Sequence, residues 1–455
     1  MFSTSDTIVA VATPGGRAGL GIVRLSGPAA HRVACALIGR EEPLTARHAT
    51  VARLRLGDGV LDHVVVTYFA QPHSYTTEDL VELSAHGSPI VLQHIVQSSI
   101  ALGARLARPG EFTFRAFVNG RIDLTQAEAV SDLIEAVTPR QARAASAQLD
   151  GNLAAGLRSL DTALFDLVAR LEASLDFPEE GYHFIEPGGL LSELERIRSD
   201  VDELLAGARQ GQLVRDGVRV VIAGRPNVGK SSLFNYLTRS DRAIVTPHAG
   251  TTRDLIVESI DLNGVPVTLV DTAGLRRAVD DLEHEGVRRA ADAVTTADLL
   301  LVVLDVSTPL EADDHDLLEK SGARLRAIAV NKCDCARAWE PSTILGGAGG
   351  WCEISSLTGE GCGRLLELVA STLGASPDTA DLPRVSNERH IALLRRCAAA
   401  LGRAVEESRR LGPHAPEELL LFELNDARNA LEEIAGARTT DDVLARIFER
   451  FCVGK

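Results

Sequence analysis

The sequence predicts a multidomain chain of mixed α/β and α class: an N-terminal α+β domain, a helical bundle, and a doubly wound α/β domain inserted into that bundle. Three patterns predict this fold. Short β-like runs dominate up to residue 120, leucines then recur at helical spacing, and near-continuous apolar strands follow between residues 214 and 375. We therefore expect domain bounds of 1–120, 121–213, 214–377 and 378–455, with the second and fourth segments sharing one bundle.

The N-terminal domain is predicted from its periodicity. The runs Ile8–Ala12, Gly21–Leu25 and Leu61–Phe69 have strand character, whereas Ile90–Leu102 is apolar and of helix length. Several strands with few helices indicate an α+β fold.

The helical bundle is predicted from capping residues and leucine spacing. Thr125 and Glu128 form a predicted capping box at the start of a helix. Leucines from Leu149 to Leu175 step by three and four, which predicts one long amphipathic helix that ends at Phe177-Pro178. Further helices are expected over 190–208, 386–411, 417–435 and 440–451. The segments 207–217 and 376–383 are expected to link the bundle to the inserted domain.

Composition bounds the class of protein. A net charge of −16 argues against non-specific coating of nucleic acid. No apolar run approaches the roughly 18–20 residues of a membrane span, and the N-terminus lacks the basic patch of a signal peptide. The seven cysteines are scattered without the pairing typical of zinc sites. We expect a cytoplasmic, reduced protein without membrane association.

The inserted domain begins with a phosphate-binding signature. Residues 224–231 read Gly-Arg-Pro-Asn-Val-Gly-Lys-Ser and follow the apolar run Val218–Ala223, so GxxxxGK[ST] lies between a strand and a helix. Such a loop turns backbone N–H groups toward phosphate oxygens, while its lysine reaches the β- and γ-phosphates and its serine ligates Mg²⁺. The expected nucleotide contacts are Asn227, Val228, Gly229, Lys230, Ser231 and Ser232, and Lys230 is also expected to be catalytic.

Two later segments complete the expected phosphate side. A DxxG sequence starts at Asp271 after the apolar run Val265–Val270, where a carboxylate can hold Mg²⁺ through water. In the polar stretch 246–254, Thr252 is placed to join Ser231 as a hydroxyl ligand of Mg²⁺. The expected contacts are Thr246, Thr251, Thr252, Asp271, Thr272, Ala273 and Gly274.

A third motif predicts that the nucleotide is GTP rather than ATP. Asn331-Lys332-Cys333-Asp334 follows the apolar run Ala327–Val330. An aspartate there can accept two hydrogen bonds from guanine, whereas adenine would leave it unpaired. The expected base-side contacts are Asn331, Lys332, Asp334, Ser355 and Ser356.

These motifs leave open the residue that orients the attacking water. A glutamine follows the DxxG glycine in Ras-like GTPases, but Leu275 holds that position here. The acidic segment Val279–Glu285 offers several carboxylates, and its spacing does not single one out.

Outside the nucleotide motifs, long stretches of the chain resemble one family. The matching stretches are Asp6–Pro14, Gly21–Gly27, Glu82–Gly87, Arg108-Pro-Gly-Glu-Phe-Thr-Phe-Arg-Ala-Phe, Asp123–Ala129, Phe177–Glu180 and the tail Phe451-Cys-Val-Gly-Lys. Over essentially its whole length the chain is similar to the MnmE (TrmE) family of tRNA modification GTPases, within the TrmE–Era–EngA group.

The resemblance implies K⁺-stimulated hydrolysis. In the family a K⁺ ion lies beside the phosphates, and its ligands fall on Asn227, Thr246, His248 and Thr251 of this chain. A cation there would neutralise charge that develops on the leaving oxygen. The family's water-positioning glutamate falls on Glu283. Its GTPase domains dimerise during hydrolysis, so a homodimer is expected.

The resemblance also implies a folate site in the N-terminal domain, for 5,10-methylene- or 5-formyl-tetrahydrofolate as one-carbon donor. The matching positions are Arg24, Glu82, Arg121 and Lys455, of which Arg121 departs from a lysine in some members. Glu82 suits the amino-pyrimidine edge of the pterin, and the three cations suit the folate carboxylates. Cys452 in the tail is open between packing and a nucleophilic role.

The implied function is modification of the wobble uridine of certain tRNAs at carbon 5, with a (carboxymethyl)aminomethyl-type group. The family acts with the flavoprotein MnmG (GidA), in a heterotetramer or larger complex. Two alternatives remain: a GTP-switched ribosome-assembly or RNA-binding factor, and a folate enzyme gated by GTP. The arginine-rich segment Arg384–Arg410 is either a tRNA contact or a solvated face paired with Glu406 and Glu407.

Overall fold

The computed structural model describes residues 5–56, 59–176, 187–239, 244, 257–271, 295–322, 325–346, 350–375, 385–411 and 417–454. They form two compact units. The first unit takes its residues from Met1–Ser131, Gln148–Leu190 and Arg403–Lys455, and the second from Asp132–Ala147 and Leu191–Gly402. Within the described ranges, no helix is both long and apolar enough to cross a membrane.

The first unit contains a six-stranded mixed sheet. Its strands are β1 (Ile8–Val11), β2 (Ala18–Ser26), β3 (Ala49–Leu56), β4 (Gly59–Phe69), β5 (Leu80–Gly87) and β6 (Arg105–Leu106). Their order is β3-β4-β5-β2-β1-β6, antiparallel except for the parallel β1–β6 pair. Helices α1 (Ala30–Leu37) and α2 (Pro89–Ala101) pack on the sheet, where alternate residues such as Val23, Leu25 and Leu83 are buried. The predicted α+β class is confirmed.

Helix α3 (Glu111–Val118) carries a buried charge network. The Arg115 side chain is fully buried, and its guanidinium lies 2.6–3.1 Å from carboxylate oxygens of Asp6, Glu78 and Glu111. Arg105 reaches two of the same carboxylates, Asp6 at 2.7 Å and Glu111 at 2.6 Å. Buried charges are tolerated when they are paired in this way. The network therefore fixes α3 to segments that are distant in sequence.

The helices that follow are α4 (Leu124–Glu135), α5 (Pro139–Leu149), α6 (Asn152–Asp176), α7 (Pro187–Ala206) and α8 (Ala208–Asp216). The predicted capping box, Thr125 with Glu128, was two residues too late. Asp123 Oδ1 accepts from the Gln126 amide at 2.9 Å, and Gln126 Oε1 accepts from the Asp123 amide at 3.0 Å. Aspartate caps a helix at least as well as threonine, so the earlier pair sets the start of α4.

The predicted long leucine-rich helix is confirmed as α6, but it begins at Asn152 rather than at Leu149, because the chain turns at Gly151, whose φ of 86° lies in the left-handed region. The segment 207–217, expected as a linker, contains α8. This helix ends at Asp216 and is followed by Gly217, whose φ is 71°. The other expected linker, 376–383, lies wholly outside the described residues, as does Phe177-Pro178.

The second unit contains a six-stranded sheet of order β12-β11-β10-β7-β9-β8. Its elements are β7 (Val218–Ala223), α9 (Lys230–Thr238), β8 (Val257–Leu262), β9 (Val265–Asp271), β10 (Leu299–Asp305), α10 (Ala312–Ser321), β11 (Arg326–Asn331), α11 (Pro341–Leu345), β12 (Trp351–Glu353) and α12 (Cys362–Leu373). All strand pairs are parallel except β8–β9. Separate apolar clusters, around Val220 and around Val221, show that both faces of the sheet are covered. The predicted doubly wound sheet is confirmed.

The turn between β8 and β9 is held by the start of α5. Asn263 and Gly264 form this turn with φ of 57° and 82°. Their carbonyls accept hydrogen bonds from Arg140 Nη1 at 3.1 Å and from Thr138 Oγ1 at 3.0 Å. A Cβ at Gly264 would lie 2.5 Å from Arg140 Cδ, so only glycine permits this approach.

The remaining helices are α13 (Glu388–Leu411), α14 (Glu417–Ala435) and α15 (Asp441–Phe448). On the arginine-rich α13, Arg403 pairs with Glu423 at 2.6 Å, and Arg410 pairs with Glu407. These partners favour the solvated, paired face over the tRNA contact for these two arginines.

After α15 the chain packs on the N-terminal sheet of its own unit. Phe451 joins Phe448 and Phe114 in an aromatic cluster with ring centroids 5.3 Å apart. Val453 forms an antiparallel bridge to Pro109. A Cβ at Gly454, whose φ is 94°, would lie 2.3 Å from the Val11 carbonyl oxygen. This tail therefore has a defined position in the first unit up to residue 454.

Candidate functional site

The phosphate-binding loop connects β7 to α9 at the carboxyl edge of the sheet. Asn227 and Gly229 have positive φ values of 65° and 100°, and helix α9 begins at Lys230. A Cβ at Gly229 would lie 2.1 Å from Asn331 Nδ2, so this position requires glycine because another loop passes close to it. The loop precedes a helix N-terminus, which is a favourable place for phosphate.

Two residues of the first turn of α9, Lys230 and Ser231, contact the phosphate loop and the end of β9. Lys230 Nζ donates to the carbonyls of Gly224 at 2.9 Å and Arg225 at 2.7 Å, so the ammonium lies over the loop. Ser231 Oγ donates to Asp271 Oδ2 at 2.9 Å, and Asp271 is buried at the end of β9. Hydroxyl and carboxylate oxygens that converge in this way fit Mg²⁺. Ser231 would be a ligand of the ion, and Asp271 would hold it through water.

The base side of the site is organised by Asn331, which is fully buried at the end of β11. Its Nδ2 donates to the carbonyl of Val228 at 2.7 Å and to Ser356 Oγ at 3.1 Å, and its Oδ1 accepts from the Ser356 amide at 2.9 Å. One side chain thus joins the phosphate loop to the loop that contains Ser355 and Ser356. The structure brings together these predicted residues from three separate parts of the sequence.

Lys332 and Asp334 belong to the loop that follows Asn331 at the end of β11. Lys332 has a φ of 66° and forms an ion pair with the buried Asp305 at the end of β10. Burial opposes ionisation of Asp305, but hydrogen bonds from Lys332 and Ser307 outweigh it and hold its pKa below the usual value. A hydrogen bond from the hydroxyl of Ser355 lowers the pKa of the exposed Asp334, which favours the ionised carboxylate.

Arg225 was missed by the motif, which treats its position as variable. Its side chain is only 14% exposed and forms ion pairs with Asp314 at 2.7 Å and with Glu311. The only signal in the sequence was an arginine inside the loop. The motif does not indicate that its partners are the distant carboxylates of Glu311 and Asp314.

Several predicted site residues lie outside the described ranges. They are Thr246, His248, Thr251, Thr252, Thr272, Ala273, Gly274, Glu283 and Lys455.

A second cluster lies on the first unit, where the tail meets the sheet. Arg24 donates to Glu82 Oε1 from Nη2 at 2.7 Å and from Nε at 3.0 Å, and from Nη1 to the Gly454 carbonyl at 3.3 Å. The rings of Tyr75 and Phe112 lie 5.7 and 5.8 Å from the Arg24 guanidinium carbon. Sequence reasoning missed both aromatic residues.

The electrostatics of this cluster include Arg121. Burial raises the pKa of Tyr75, against the opposing effects of a hydrogen bond with Thr113 and the positive charges of Arg24 and Arg121. Aromatic rings, a carboxylate and two cations suit a flat heteroaromatic ligand with acidic groups, so the residues present fit a folate.

The fold and the first site define the class of this protein. A phosphate loop between a strand and a helix, an Mg²⁺-type Ser–Asp pair and an NKxD loop on a doubly wound sheet are the parts of a P-loop GTPase. Among solved structures, the G domain of the T. maritima FeoB iron transporter covers 34% of this chain and 98% of its own length, with 27% identity and a TM-score of 0.26.

Comparison with known sequences identifies the family. A family model described as the MnmE helical domain matches residues 124–452, and one described as the GTP-binding protein TrmE N-terminus matches residues 7–121. The "tRNA modification GTPase MnmE" of Chloroflexus aurantiacus is 45% identical over 99% of this chain and 100% of its own length. Its namesakes in Koribacter versatilis and Pseudomonas aeruginosa are 42% and 43% identical over 100% of both chains. The chain belongs to the MnmE family of tRNA modification GTPases.

Proposed function

We propose that this protein couples GTP hydrolysis to modification of the wobble uridine of certain tRNAs at carbon 5. The single observation that carries the proposal is the guanine-nucleotide site in which Asn331 joins the phosphate loop to the base loop, within a chain that matches tRNA modification GTPases over its whole length. The group installed is of the (carboxymethyl)aminomethyl type, with tetrahydrofolate as one-carbon donor and a flavoprotein of the MnmG type as partner in the cytoplasm.

The GTPase site supports the hydrolytic part of this proposal. Lys230 neutralises charge on the β- and γ-phosphates, and Asp334 selects guanine. Ser231 and Thr252 would hold Mg²⁺, which would neutralise phosphate charge when bound. Asn227, Thr246, His248 and Thr251 are the proposed K⁺ ligands. Hydrolysis would accompany association of two GTPase domains in a homodimer.

The tail cluster supports the one-carbon part. Arg24, Glu82 and the carbonyl of Gly454 form one hydrogen-bonded group, flanked by Tyr75 and Phe112. We propose that a tetrahydrofolate binds there, with Arg121 and Lys455 as further contacts. These side chains would bind and orient the donor and exclude water from it.

The tRNA function is tested by mass spectrometry of tRNA nucleosides from a strain without this protein. We expect the aminomethyl-type wobble uridine to be lost, restored by the wild-type gene, and not restored by Glu283→Ala. The control is Glu285→Ala, a change in the same acidic segment. An unchanged nucleoside profile together with a ribosome-subunit defect would instead support the assembly-factor alternative.

Hydrolysis is expected to be at least about tenfold faster in KCl than in NaCl at equal ionic strength, because a fitted monovalent cation stabilises charge on the leaving oxygen. In KCl, Glu283→Ala should lower kcat by about 10²-fold, in the range for loss of a positioned carboxylate. Single-turnover phosphate release measures both. Equal rates in the two salts would refute the K⁺ site, and full activity of Glu283→Ala would refute the assignment of that residue.

Removal of residues 452–455 is expected to weaken binding of 5-formyltetrahydrofolate by about tenfold or more, because the hydrogen bond from Arg24 to the tail and the charge of Lys455 are both lost. The truncated chain keeps Phe451 and its aromatic packing, and full-length Cys452→Ser serves as the control. Isothermal titration measures the affinity. Equal affinities of the truncated and full-length proteins would refute a contribution of the tail.

A further inference from the structure

Arg225, the second residue of the phosphate loop, connects this loop to the start of α10. Its Nε lies 2.7 Å from Asp314 Oδ2, and its Nη1 pairs with Glu311. The P-loop signature needs glycines, a lysine and a serine, and no arginine. A mostly buried guanidinium at this position therefore has a role beyond the motif.

The start of α10 is a rigid attachment point. Asp314 is 1% exposed, and its Oδ2 also accepts from the Glu311 amide at 3.0 Å, while the Asp314 amide donates to the Glu311 carbonyl at 3.0 Å. A reciprocal arrangement of this kind fixes the first turn of a helix. The guanidinium thus binds carboxylates whose own positions are fixed by the backbone.

The connection between β10 and α10 also holds the base side of the site. Lys332 forms its ion pair with Asp305 at one end of this connection, and the Val306 amide donates to the Asn331 carbonyl at 3.1 Å. Arg225 binds its other end. The loop that cradles phosphate and the loop that recognises guanine are therefore attached to one short segment, residues 305–314.

We propose that Arg225 is a positioning residue for nucleotide binding, which clamps the phosphate loop onto residues 305–314. The clamp fixes the peptide carbonyls of Gly224 and Arg225, the two acceptors that hold the Lys230 ammonium. Its loss would leave the loop free to widen on the phosphate side without changing recognition of the base. This inference rests on the guanine-nucleotide site of the proposed function and adds a residue to it.

The planar guanidinium explains why arginine is used. Through Nη1 and Nε it forms ion pairs with Glu311 and Asp314 at the same time, whereas a lysine ammonium is a point charge on a flexible chain. Arg225→Lys should therefore restore only part of the clamp, and Arg225→Met should remove it while keeping the apolar stem.

The test is the rate at which the full-length protein releases a fluorescent GDP analogue, measured by stopped flow. Release from Arg225→Met should be about tenfold faster than from wild type, since small displacements of a binding group have effects of this order or larger. Arg225→Lys should fall in between. The preference for GDP over IDP should stay within twofold of wild type, because Asp334 is not disturbed. The release rate is measured on folded protein with bound analogue, so it does not depend on the folded fraction. A loss of fold stability alone would therefore not alter it.

Two further variants separate the clamp from other effects. In Arg225→Met/Asp314→Asn no buried carboxylate is left without a cation, and release should remain fast. Arg326→Met affects the same helix at its other end, where Nη1 donates to Ser321 Oγ at 3.0 Å, and release should match wild type. A wild-type rate in Arg225→Met, or in the double variant, would overturn the proposal. Failure of the wild-type protein itself to bind the GDP analogue would instead refute the nucleotide site.

Discussion

Asn331→Ala is expected to weaken GDP and GTP binding by roughly a hundredfold, about 3 kcal/mol of binding free energy. The side chain makes three hydrogen bonds that join the Val228 carbonyl to the backbone and hydroxyl of Ser356. Alanine leaves the buried Val228 carbonyl and the part-buried Ser356 amide without this partner, and an unmet buried group costs about 1–3 kcal/mol. The phosphate loop and the base loop would also lose the contact that fixes their relative position, so the nucleotide would be bound with lower affinity.

Titration of fluorescent GDP into the full-length variant measures this effect. Cys333→Ala is the matched control, since it alters the same loop but leaves the Asn331 hydrogen bonds intact, and its affinity should stay within about threefold of wild type. Asn331→Ala should also release GDP faster. An affinity for Asn331→Ala within threefold of wild type would contradict the role assigned to this side chain.

Arg115→Met is expected to destabilise the first unit by about 3–5 kcal/mol, the usual cost of removing one partner from a buried ion pair. The guanidinium is fully buried among Asp6, Glu78 and Glu111. Methionine fills a similar volume, leaves Asp6 and Glu111 paired with Arg105, and removes the ion pair between Arg115 and Glu78. Glu111 is itself fully buried, so it cannot recover the lost interaction from water.

The chain offers a way to measure this loss in one unit alone. Its two tryptophans, Trp339 and Trp351, both lie in the second unit. Arg115→Met should shift the first transition seen by far-ultraviolet circular dichroism to lower denaturant, while the tryptophan fluorescence transition with bound GDP stays unchanged. The control Arg108→Met replaces an exposed arginine of the same stretch and should cost less than about 1 kcal/mol. Coincident shifts of both signals would contradict a local role.

The same network predicts a dependence on pH. Burial opposes ionisation of Glu111 and Asp6, but hydrogen bonds from Arg105 and Arg115 outweigh it, so the pKa of each carboxyl lies below its usual value. A lowered pKa in the folded state gives stability that is present above the unfolded pKa and is lost as the pH falls toward the folded value. The difference in stability between wild type and Arg115→Met should therefore narrow on acidification.

Much of the nucleotide site could be predicted from sequence because its chemistry is local. Gly229, Lys230 and Ser231 are adjacent, and each loop follows an apolar strand whose carboxyl end lies at the same edge of the sheet. The strands themselves were recognisable because a parallel sheet buried on both faces requires continuous apolar runs. Fold class and nucleotide identity both follow from such short-range patterns.

The missed features depend on partners that are distant in sequence or on competition between equivalent signals. Arg225 looks like any loop arginine until folding brings Asp314 to it, and Arg115 looks like an ordinary helical arginine. Asp123 and Thr125 are both residue types that cap helix N-termini. The two hydrogen bonds between Asp123 and Gln126 decide in favour of Asp123. The leucine spacing continues across Gly151, so the periodicity of apolar residues alone did not reveal the turn at that glycine.

The contact between Gly264 and Arg140 has an evolutionary consequence. The arginine stem occupies the space that any larger residue at position 264 would need, and its guanidinium binds the neighbouring carbonyl of Asn263. A change on either side would thus be tolerated only with a matching change on the other, and the two positions should covary among descendants of this lineage. A GTPase domain transferred from a relative would need that relative's segment around Arg140 as well. We therefore expect the turn at Gly264 and the segment around Arg140 to be inherited together.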